Sequence, residues 1–420
     1  MNMTSMPSPE IAIVGGGAAG MMAAAVALAE GASVLLFEPN ERLGRKLAIT
    51  GKGRCNLTNN CTPQEFFGSV TQNSRFLYSA ISRFSPADTM TFFEELGVPL
   101  KTERGGRVFP VSDRAGDVVS ALEAAVRGAR RIRAKVSEIR KNADGRFSIT
   151  AGGHSYTADR VILATGGLSY PKTGSDGSGY RLAEALGHTV TPRYPSLVPL
   201  ESPDPTPPMM QGLSLKNVAL RIRDKSGKTV YEDFGEMLFT HFGISGPMVL
   251  SASTRLRLPS LEGYTAVIDM KPALDRETLN DRLLAELERG ANRDLSNILA
   301  TLLPSAMIPV ALLRTGIPGS RKGNSITKAE RRCLLDFLKG YVIPLSGTRP
   351  IDEAIVTAGG IEVREVNPGT MESKLVSGLY FAGEILDTDA YTGGFNLQIA
   401  FSTAHLAAKS ATAPRKEETI

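Results

Sequence analysis

A glycine-rich turn near the start of the chain constrains the fold more than any other feature. The apolar run IAIV at residues 11–14 breaks into Gly15-x-Gly17-x-x-Gly20, and small residues follow it. This pattern predicts a buried strand that turns tightly into a helix over residues 18–30. The first glycine permits the turn, the second lets a ligand approach the backbone, and the third lets the helix pack on the strand. The arrangement is typical of a parallel α/β sheet that binds a dinucleotide.

An acid stands where this interpretation requires one. The apolar run VLLF leads to Glu38, 18 residues after Gly20, and Pro39 follows it. A carboxylate at the end of the second strand accepts hydrogen bonds from ribose hydroxyls. The diphosphate would lie at the start of the first helix, where free N–H groups and the helix dipole favour an anion. We therefore predict a site formed by Gly15, Gly17, Ala18, Ala19, Gly20, Glu38 and Pro39.

Composition limits the compartment and the cofactors. The 420 residues suit two or three domains, and the hydrophobic fraction of 42% is enough for packed cores. No apolar run reaches the roughly 20 residues of a membrane span, and the first ten residues lack a signal pattern, so we expect a cytoplasmic protein. Cys55, Cys61 and Cys333 form no metal-ligand or disulfide pattern, and we expect neither. The net charge of +5 is compatible with anionic cofactors or RNA.

A long connector rich in cations follows the second strand. Residues 43–60 read LGRKLAITGKGRCNLTNN, and long loops without regular structure tend to be functional. Lys46, Lys52 and Arg54 could bind phosphates of the cofactor or an anionic substrate, or they could belong to a solvated loop. The candidate cofactor contacts in this connector are Arg45, Lys46, Gly53, Arg54, Cys55 and Asn56.

The rest of the chain divides at a proline-rich segment. Residues 131–165 predict short strands, the last of which ends in the turn ATGG. Prolines cluster over 192–208, a β unit with a KSGK turn follows, and the pattern over 275–340 is helical, with a capping box at Thr327. We therefore predict a discontinuous α/β nucleotide-binding domain of residues 1–191 and 346–420, interrupted by a β domain of residues 192–270 and a helical domain of residues 271–345.

A second cofactor motif lies near the end of the chain. The strand LYFA leads to Gly383-Glu384, and Gly393-Gly394 begins an apolar helix. A bound flavin needs an acid for its ribitol hydroxyls and a helix N-terminus at its pyrimidine edge, where positive potential stabilises the anionic reduced form. Together with the first motif and ATGG, this segment predicts FAD. The contacts expected here are Thr165, Gly166, Gly167, Gly383, Glu384, Gly393, Gly394, Phe395 and Asn396.

Several segments of the chain resemble one known family. The YhiN/BaiN-type family of FAD-dependent oxidoreductases, also called aminoacetone-oxidase-like, is similar to this chain in IAIVGGGAAGMMAA, LGRKLAITGKGRCNLTN, GRVFP, ATGGLSYPKTGSDGSGY, FTHFGISGP, VTAGGI and TMESKLVSGLYFAGEILDTDAYTGGFNLQIAFSTA. The resemblance implies a two-segment Rossmann domain that binds FAD, a small β-barrel-like domain and a helical domain. Family members have been associated with dihydrouridine formation in large-subunit ribosomal RNA, reduction of conjugated double bonds in steroid-like bile acids, and amine oxidation. Phe395 departs from the family, which usually has Tyr there.

Few residues can supply a proton. Because a flavin carries out the hydride chemistry, the protein must orient the substrate and, for reduction of a C=C bond, protonate the second carbon. Cys55 lies in the cationic GKGRCN loop, where Lys52 and Arg54 would lower the pKa of a thiol, although it could equally be a packing residue. His241 is the other catalytic candidate, although a histidine beside aromatic residues is more often structural. No second GxGxxG follows a strand, so we expect NAD(P)H to bind only transiently over the flavin.

Three functions stay open at this point. The first is NAD(P)H-driven reduction of an activated C=C bond in a small molecule or in a uridine of large-subunit ribosomal RNA. It rests on the resemblance, with weak support from the basic run VRGARRIRAKV at residues 126–136. The second is oxidation of a small amine by oxygen, and the third is a nucleic-acid-binding assembly factor with structural FAD. For none of them do we expect a metal or a membrane partner.

Overall fold

The computed structural model of the protein describes residues 10–414. The chain divides into two units: unit 1 combines residues up to 196 with those from 351 onward, and unit 2 comprises residues 197–350. All the segments predicted to bind the cofactor belong to unit 1. In unit 2 the apolar residues of strands and helices form one shared core. The finer division of the insertion at residue 270 therefore stays a prediction.

Strands and helices alternate along most of the described chain. The strands are β1 (Glu10–Val14), β2 (Ser33–Phe37), β3 (Thr58–Asn59), β4 (Leu100–Glu103), β5 (Arg107–Pro110), β6 (Arg130–Ile132), β7 (Val136–Lys141), β8 (Phe147–Ala151), β9 (His154–Ala158), β10 (Arg160–Leu163), β11 (Tyr194–Ser196), β12 (Leu200–Glu201), β13 (Ser214–Arg223), β14 (Thr229–Thr240), β15 (Gly243–Ser245), β16 (Tyr264–Asp269), β17 (Tyr341–Leu345), β18 (Gly347–Thr348), β19 (Val356–Ala358) and β20 (Leu379–Phe381). The α-helices are α1 (Ala18–Ala29), α2 (Arg45–Ile49), α3 (Pro63–Ser69), α4 (Tyr78–Arg83), α5 (Pro86–Glu95), α6 (Ala115–Ala125), α7 (Ser178–Ala185), α8 (Thr206–Met209), α9 (Pro247–Ser253), α10 (Arg276–Arg289), α11 (Leu295–Leu299), α12 (Ile308–Thr315), α13 (Lys328–Lys339) and α14 (Phe395–Thr412).

A parallel five-stranded sheet organises unit 1. Its order is β20-β10-β1-β2-β6, and each neighbouring pair is parallel. The central strands β1 and β10 are buried almost throughout, which explains their continuous apolar runs. Helix α1 ends one residue before the predicted span does. Because the strands are parallel, the segments that follow β1, β2, β10 and β20 all leave the sheet at one edge.

Smaller antiparallel sheets complete unit 1. Strands β7, β8 and β9 form the meander predicted over residues 131–165, and β3, β5 and β4 form a second sheet. The connector of residues 43–60 is more ordered than a loop, since it contains α2, β3 and a 3-10 turn over Thr50–Gly53. Gly51 and Lys52 take left-handed backbone angles in that turn, which is how so short a segment reverses direction.

Unit 2 is built on an antiparallel sheet that returns on itself. The order is β17-β16-β13-β14-β15-β12-β18, and only Ser346 separates the two end strands along the chain. The sheet must therefore curve back to its start, which agrees with the predicted barrel-like shape. The KSGK turn joins β13 to β14, and the capping box at Thr327 begins α13, both as predicted. Leu279, Leu283 and Leu287 form the buried face of α10.

A buried histidine ties distant segments of unit 1 together. Nδ1 of His188 lies 3.1 Å from Oε2 of Glu365, and Nε2 lies 2.8 Å from Oγ of Ser373. The backbone N–H groups of Leu375 and Val376 donate to the same Oγ. The hydroxyl proton of Ser373 is thus left for Nε2, so the neutral ring carries its proton on Nδ1 and donates it to Glu365. Burial lowers the pKa of His188 and outweighs the nearby carboxylate, which favours the charged form.

We predict a pH-dependent loss of stability that originates at His188. Because its pKa is lower in the folded protein than in the unfolded chain, the stability it contributes is present above the unfolded pKa of about 6.5 and is lost as the pH falls below it. The melting temperature of the wild type should therefore decline more steeply between about pH 7.5 and about pH 5 than that of His188→Gln, which does not titrate. Parallel declines would contradict the buried neutral ring.

Candidate active site

The predicted cofactor segments meet at the carboxyl edge of the parallel sheet. They follow β1, β2, β10 and β20, and they pack closely against one another. A Cβ on Gly15 would be 2.4 Å from the carbonyl oxygen of Ala164, and a Cβ on Gly383 would be 2.8 Å from the Cβ of Ala19. Both glycines also have positive φ angles. The edge can therefore close only with glycine at these positions, and it brings the N-terminal, ATGG and C-terminal motifs into one place.

The glycines of the fingerprint differ in the space around them. Gly17 is the N-cap of α1, and no side chain caps the helix, so the first N–H groups stay available to an anion. A Cβ on Gly17 would meet no atom within 4 Å, whereas one on Gly20 would lie 1.7 Å from the carbonyl oxygen of Gly15. Gly20 is thus required by the fold itself, while Gly17 leaves space in front of the helix.

Glu38 is held rigidly at the end of β2. Its Oε2 accepts the N–H of Gly16 at 2.9 Å, and its Oε1 accepts both the backbone and side-chain N–H groups of Asn40. Asn40 also accepts a hydrogen bond from Arg45, while Pro39 between Glu38 and Asn40 is exposed. A carboxylate oxygen has more than one acceptor site, so Glu38 can still bind ribose hydroxyls. No sequence pattern singled out Asn40, although it stands only two residues after the acid.

Glu384 lies in a network that joins its own segment to three others. Its Oε2 is 2.6 Å from Nζ of Lys46, and its Oε1 accepts the hydroxyl of Ser169 and the N–H of Thr357, both at 2.8 Å. Lys46 also donates to Ser169. On the sequence alone, Lys46 is a candidate ligand for a phosphate. In the structure its partner is Glu384, the acid predicted to bind the ribitol. Ser169 lies 215 residues before Glu384, and no local pattern marks it.

The GKGRCN loop does not have the electrostatics that the sequence suggests. Arg54 donates to both Glu103 and Asp113, and its guanidinium carbon lies 4.1 Å from the ring centre of Phe109. Cys55 is completely buried, and burial raises the pKa of its thiol to about 12. The predicted lowering of this pKa is wrong, because carboxylates balance Arg54 and the thiol is desolvated. A thiol without exposed surface does not reach a ligand, so the geometry gives Cys55 no catalytic contact.

Helix α14 begins at the same edge. Its N-cap is Gly394, and no side chain caps it. A Cβ on Gly394 would lie 2.3 Å from the carbonyl oxygen of Thr58, so the C-terminal motif packs backbone to backbone on the end of the connector. Phe395 packs edge-on against Phe66, and Asn396 bonds to the backbone of Ala390. The uncapped N–H groups are the positive end that a flavin pyrimidine requires.

Open backbone N–H groups show that the residues at this edge fit a polar ligand. Asn56 Oδ1, Thr165 Oγ1 and Thr388 Oγ1 are also without a hydrogen-bond partner within the described chain. They are three of eight such side-chain atoms, and each is as buried as the thiol of Cys55, so the fit rests on the backbone groups. Two uncapped helix starts and the open space at Gly17 lie in the same motifs. The residues present therefore fit FAD.

The second catalytic candidate, His241, does not lie among the segments at this sheet edge. His241 belongs to unit 2, where it is exposed in the turn between β14 and β15 beside the ring of Phe242, and its role as a proton donor stays a prediction. Within residues 10–414, no group of three His, Cys, Asp or Glu side chains is placed to hold a metal ion. Of the helices described, none has the length and apolar character needed to cross a bilayer.

Comparison with protein families matches residues 9–410 to the HI0933-like protein Rossmann domain. The chain belongs to the HI0933-like family. Its relatives include the 3-dehydro-bile acid delta(4,6)-reductase of Clostridium scindens, which is 34% identical over 96% of this chain and 98% of the relative. The ribosomal RNA dihydrouridine synthase of Haemophilus influenzae is 32% identical over 95% of this chain and 97% of the relative. That of Escherichia coli is 32% identical over 96% of this chain and 98% of the relative. The match confirms the Rossmann fold and the predicted class, an FAD-dependent oxidoreductase.

Cys55→Ala distinguishes a packing role from a catalytic one. We expect the variant to lose about 1–3 kcal/mol of stability, since it removes a buried group from a well-packed site. Its reduced flavin should be reoxidised by substrate at the wild-type rate, because the buried thiol does not touch the ligand. Thermal melting and anaerobic stopped-flow measure the two effects separately. A stable variant with a rate lowered roughly 10²-fold would restore the thiol as the acid.

Proposed function

We propose that this protein uses NAD(P)H to reduce an activated C=C bond and that the bond belongs to a uridine of large-subunit ribosomal RNA. The observation that carries the proposal is the convergence of motifs fitted to FAD at one sheet edge. The named relatives support the reaction type. One is a delta(4,6)-reductase, and two form dihydrouridine, which is uridine with its ring C=C bond saturated.

The residues at the sheet edge would divide the binding of FAD among them. The first turn of α1 after Gly17 would hold the diphosphate, and Glu38 would bind the ribose. Glu384 would meet the ribitol, with Lys46 balancing its charge, and α14 would face the pyrimidine. Hydride transfer is the chemistry that a bound flavin supplies. The chain's own task would be to orient the uracil ring and to let His241 or a water protonate it.

The substrate choice rests on charge as well as on relatives. Identities of 34% and 32% do not separate the bile acid reductase from the dihydrouridine synthases. The net charge of +5 and pI near 9.0 favour a polyanion such as RNA. The second candidate, reduction of a conjugated double bond in a steroid-like acid, is favoured by the relative with 34% identity. No relative named above supports oxidation of a small amine.

Mass spectrometry of ribosomal RNA tests the substrate. Deleting the gene should remove a dihydrouridine from the large subunit, and the wild-type gene should restore it. NADH or NADPH should bleach the flavin anaerobically, while a small amine should not. Unchanged RNA, together with flavin reoxidation by an unsaturated bile acid, would replace the first candidate with the second. Bleaching by an amine would overturn the reductase assignment, and a flavin that no donor bleaches would indicate structural FAD.

Gly17→Ala tests the cofactor site apart from the fold. Its added Cβ has open space in the apoprotein, so the melting temperature without FAD should be unchanged. FAD affinity should fall at least about tenfold, or about 1.4 kcal/mol, because the methyl group occupies the space in front of the helix. Gly20→Ala is the control, since its Cβ would overlap the carbonyl oxygen of Gly15 and should destabilise the apoprotein itself. Normal FAD titration by Gly17→Ala would contradict the fingerprint assignment.

A further inference from the structure

A hairpin formed by β4 and β5 lies directly beside the candidate site. The side-chain Nδ2 of Asn59 donates to the carbonyl oxygens of Gly105 in the hairpin turn and of Gly393 at the start of α14, both at 2.9 Å. One side chain therefore spans the distance from the turn to the helix terminus predicted to face the flavin. The side chains that flank the hairpin turn therefore belong to a segment linked directly to the start of α14.

The hairpin is fixed in this position. Strand β5 pairs with β3, and the N–H of Asn60 bonds to the carbonyl oxygen of Gly106. Gly105 and Gly106 have φ angles of 78° and 71°, and a Cβ on Gly106 would lie 2.4 Å from Oδ1 of Asn59. The turn therefore requires glycine for its backbone angles and for its packing against Asn59. Such a turn presents its flanking side chains in a defined place.

The hairpin carries more positive charge than its acids balance. Glu103 and Asp113 are occupied by Arg54 and Lys101. Arg104 and Arg107, which flank the turn, are exposed and form no ion pair with any residue of the described chain. Arg107 still has local contacts, since its Nε donates to the carbonyl oxygen of Arg104 at 3.1 Å and its guanidinium carbon lies 5.9 Å from the ring centre of Phe109. Lys52 is exposed in the neighbouring 3-10 turn, which lies against Phe109 of β5. We call these three residues, Lys52, Arg104 and Arg107, the hairpin cations.

The basic run of residues 126–136 is engaged in part within unit 1. The guanidinium of Arg131 donates to the carbonyl oxygens of Asn40 and Glu41, and Lys135 pairs with Asp176. Two of its cations are therefore engaged inside unit 1. Arg127, Arg130 and Arg133 of the run are exposed, and Arg127 and Arg133 provide matched positions for comparison.

We propose that the hairpin cations bind the phosphates of the RNA strand that carries the target base. This inference rests on the proposed function, because it assumes that the substrate at the sheet edge is RNA. Proteins read single-stranded RNA by holding the backbone with Arg and Lys while the base turns into a pocket. Arg104 and Arg107 flank the turn that Asn59 links to Gly393, at the expected flavin edge. A steroid-like acid carries one negative charge and does not need three cations to bind it.

RNA binding at several salt concentrations tests the hairpin cations. The probe is a labelled oligouridylate of about 20 nucleotides, titrated with holoprotein by fluorescence anisotropy from about 50 to about 200 mM salt. Arg104→Ala/Arg107→Ala should bind at least about tenfold more weakly at the lowest salt. Its slope of log affinity against log salt should be smaller by roughly 1.4, or roughly 0.7 for each phosphate that the variant no longer neutralises. Arg127→Ala/Arg133→Ala removes the same charge and should match the wild type.

Further readouts separate a charge effect from damage to the fold or to the cofactor site. Arg104→Lys/Arg107→Lys keeps the charge and should recover the salt slope. FAD affinity and bleaching by NAD(P)H should be unchanged in every variant. Equal weakening in both alanine pairs, or none in either, would overturn the proposal, as would a wild type that binds no oligouridylate. None of these results decides the proposed function, which the ribosomal RNA of the deletion strain tests independently.

Discussion

The direction of five strands is the constraint on which the rest of this structure depends. Because β20, β10, β1, β2 and β6 all run the same way, the segments after four of them emerge at one edge. The segments at that edge pack tightly against one another. A Cβ on Gly15, Gly20 or Gly383 would overlap a neighbouring atom, which shows how little space is left. Gly17 is the exception, and the open space there is what a ligand can use.

Local rules explain what could be predicted from the sequence. The fingerprint, the acid at Glu38, the span of α1 and the capping box of α13 each depend on residues close in the chain, and all appear in the structure. The curvature of the unit 2 sheet is predicted by family resemblance rather than by a pattern. It has a simple physical cause, since one residue joins strands at opposite ends of the sheet order.

Contacts between distant segments explain what could not be predicted. Glu384 meets Ser169 across 215 residues and Lys46 across 338, and neither separation leaves a trace in local composition. The cations near Cys55 are misleading for the same reason. Glu103 of β4 and Asp113, three residues after β5, accept hydrogen bonds from Arg54. Arg54 holds the pKa of Glu103 below its usual range, and Lys101 together with Arg54 does the same for Asp113. The charge of Arg54, which would have acted on the thiol, is balanced by residues 49 and 59 positions away from it.

Pairing of charges also decides which cations can act on a substrate. Lys46 and Arg54 are the obvious candidates in the sequence, yet each has a carboxylate partner that fixes its position. Arg107 lies in GGRVFP and Arg104 directly before it, and neither is a candidate site residue on the sequence alone. Glu103 and Asp113 are already paired with Arg54 and Lys101, so neither acid forms an ion pair with Arg104 or Arg107. An exposed cation that forms no ion pair has no salt bridge to give up when it binds a phosphate, so an RNA-binding surface is best sought among such residues.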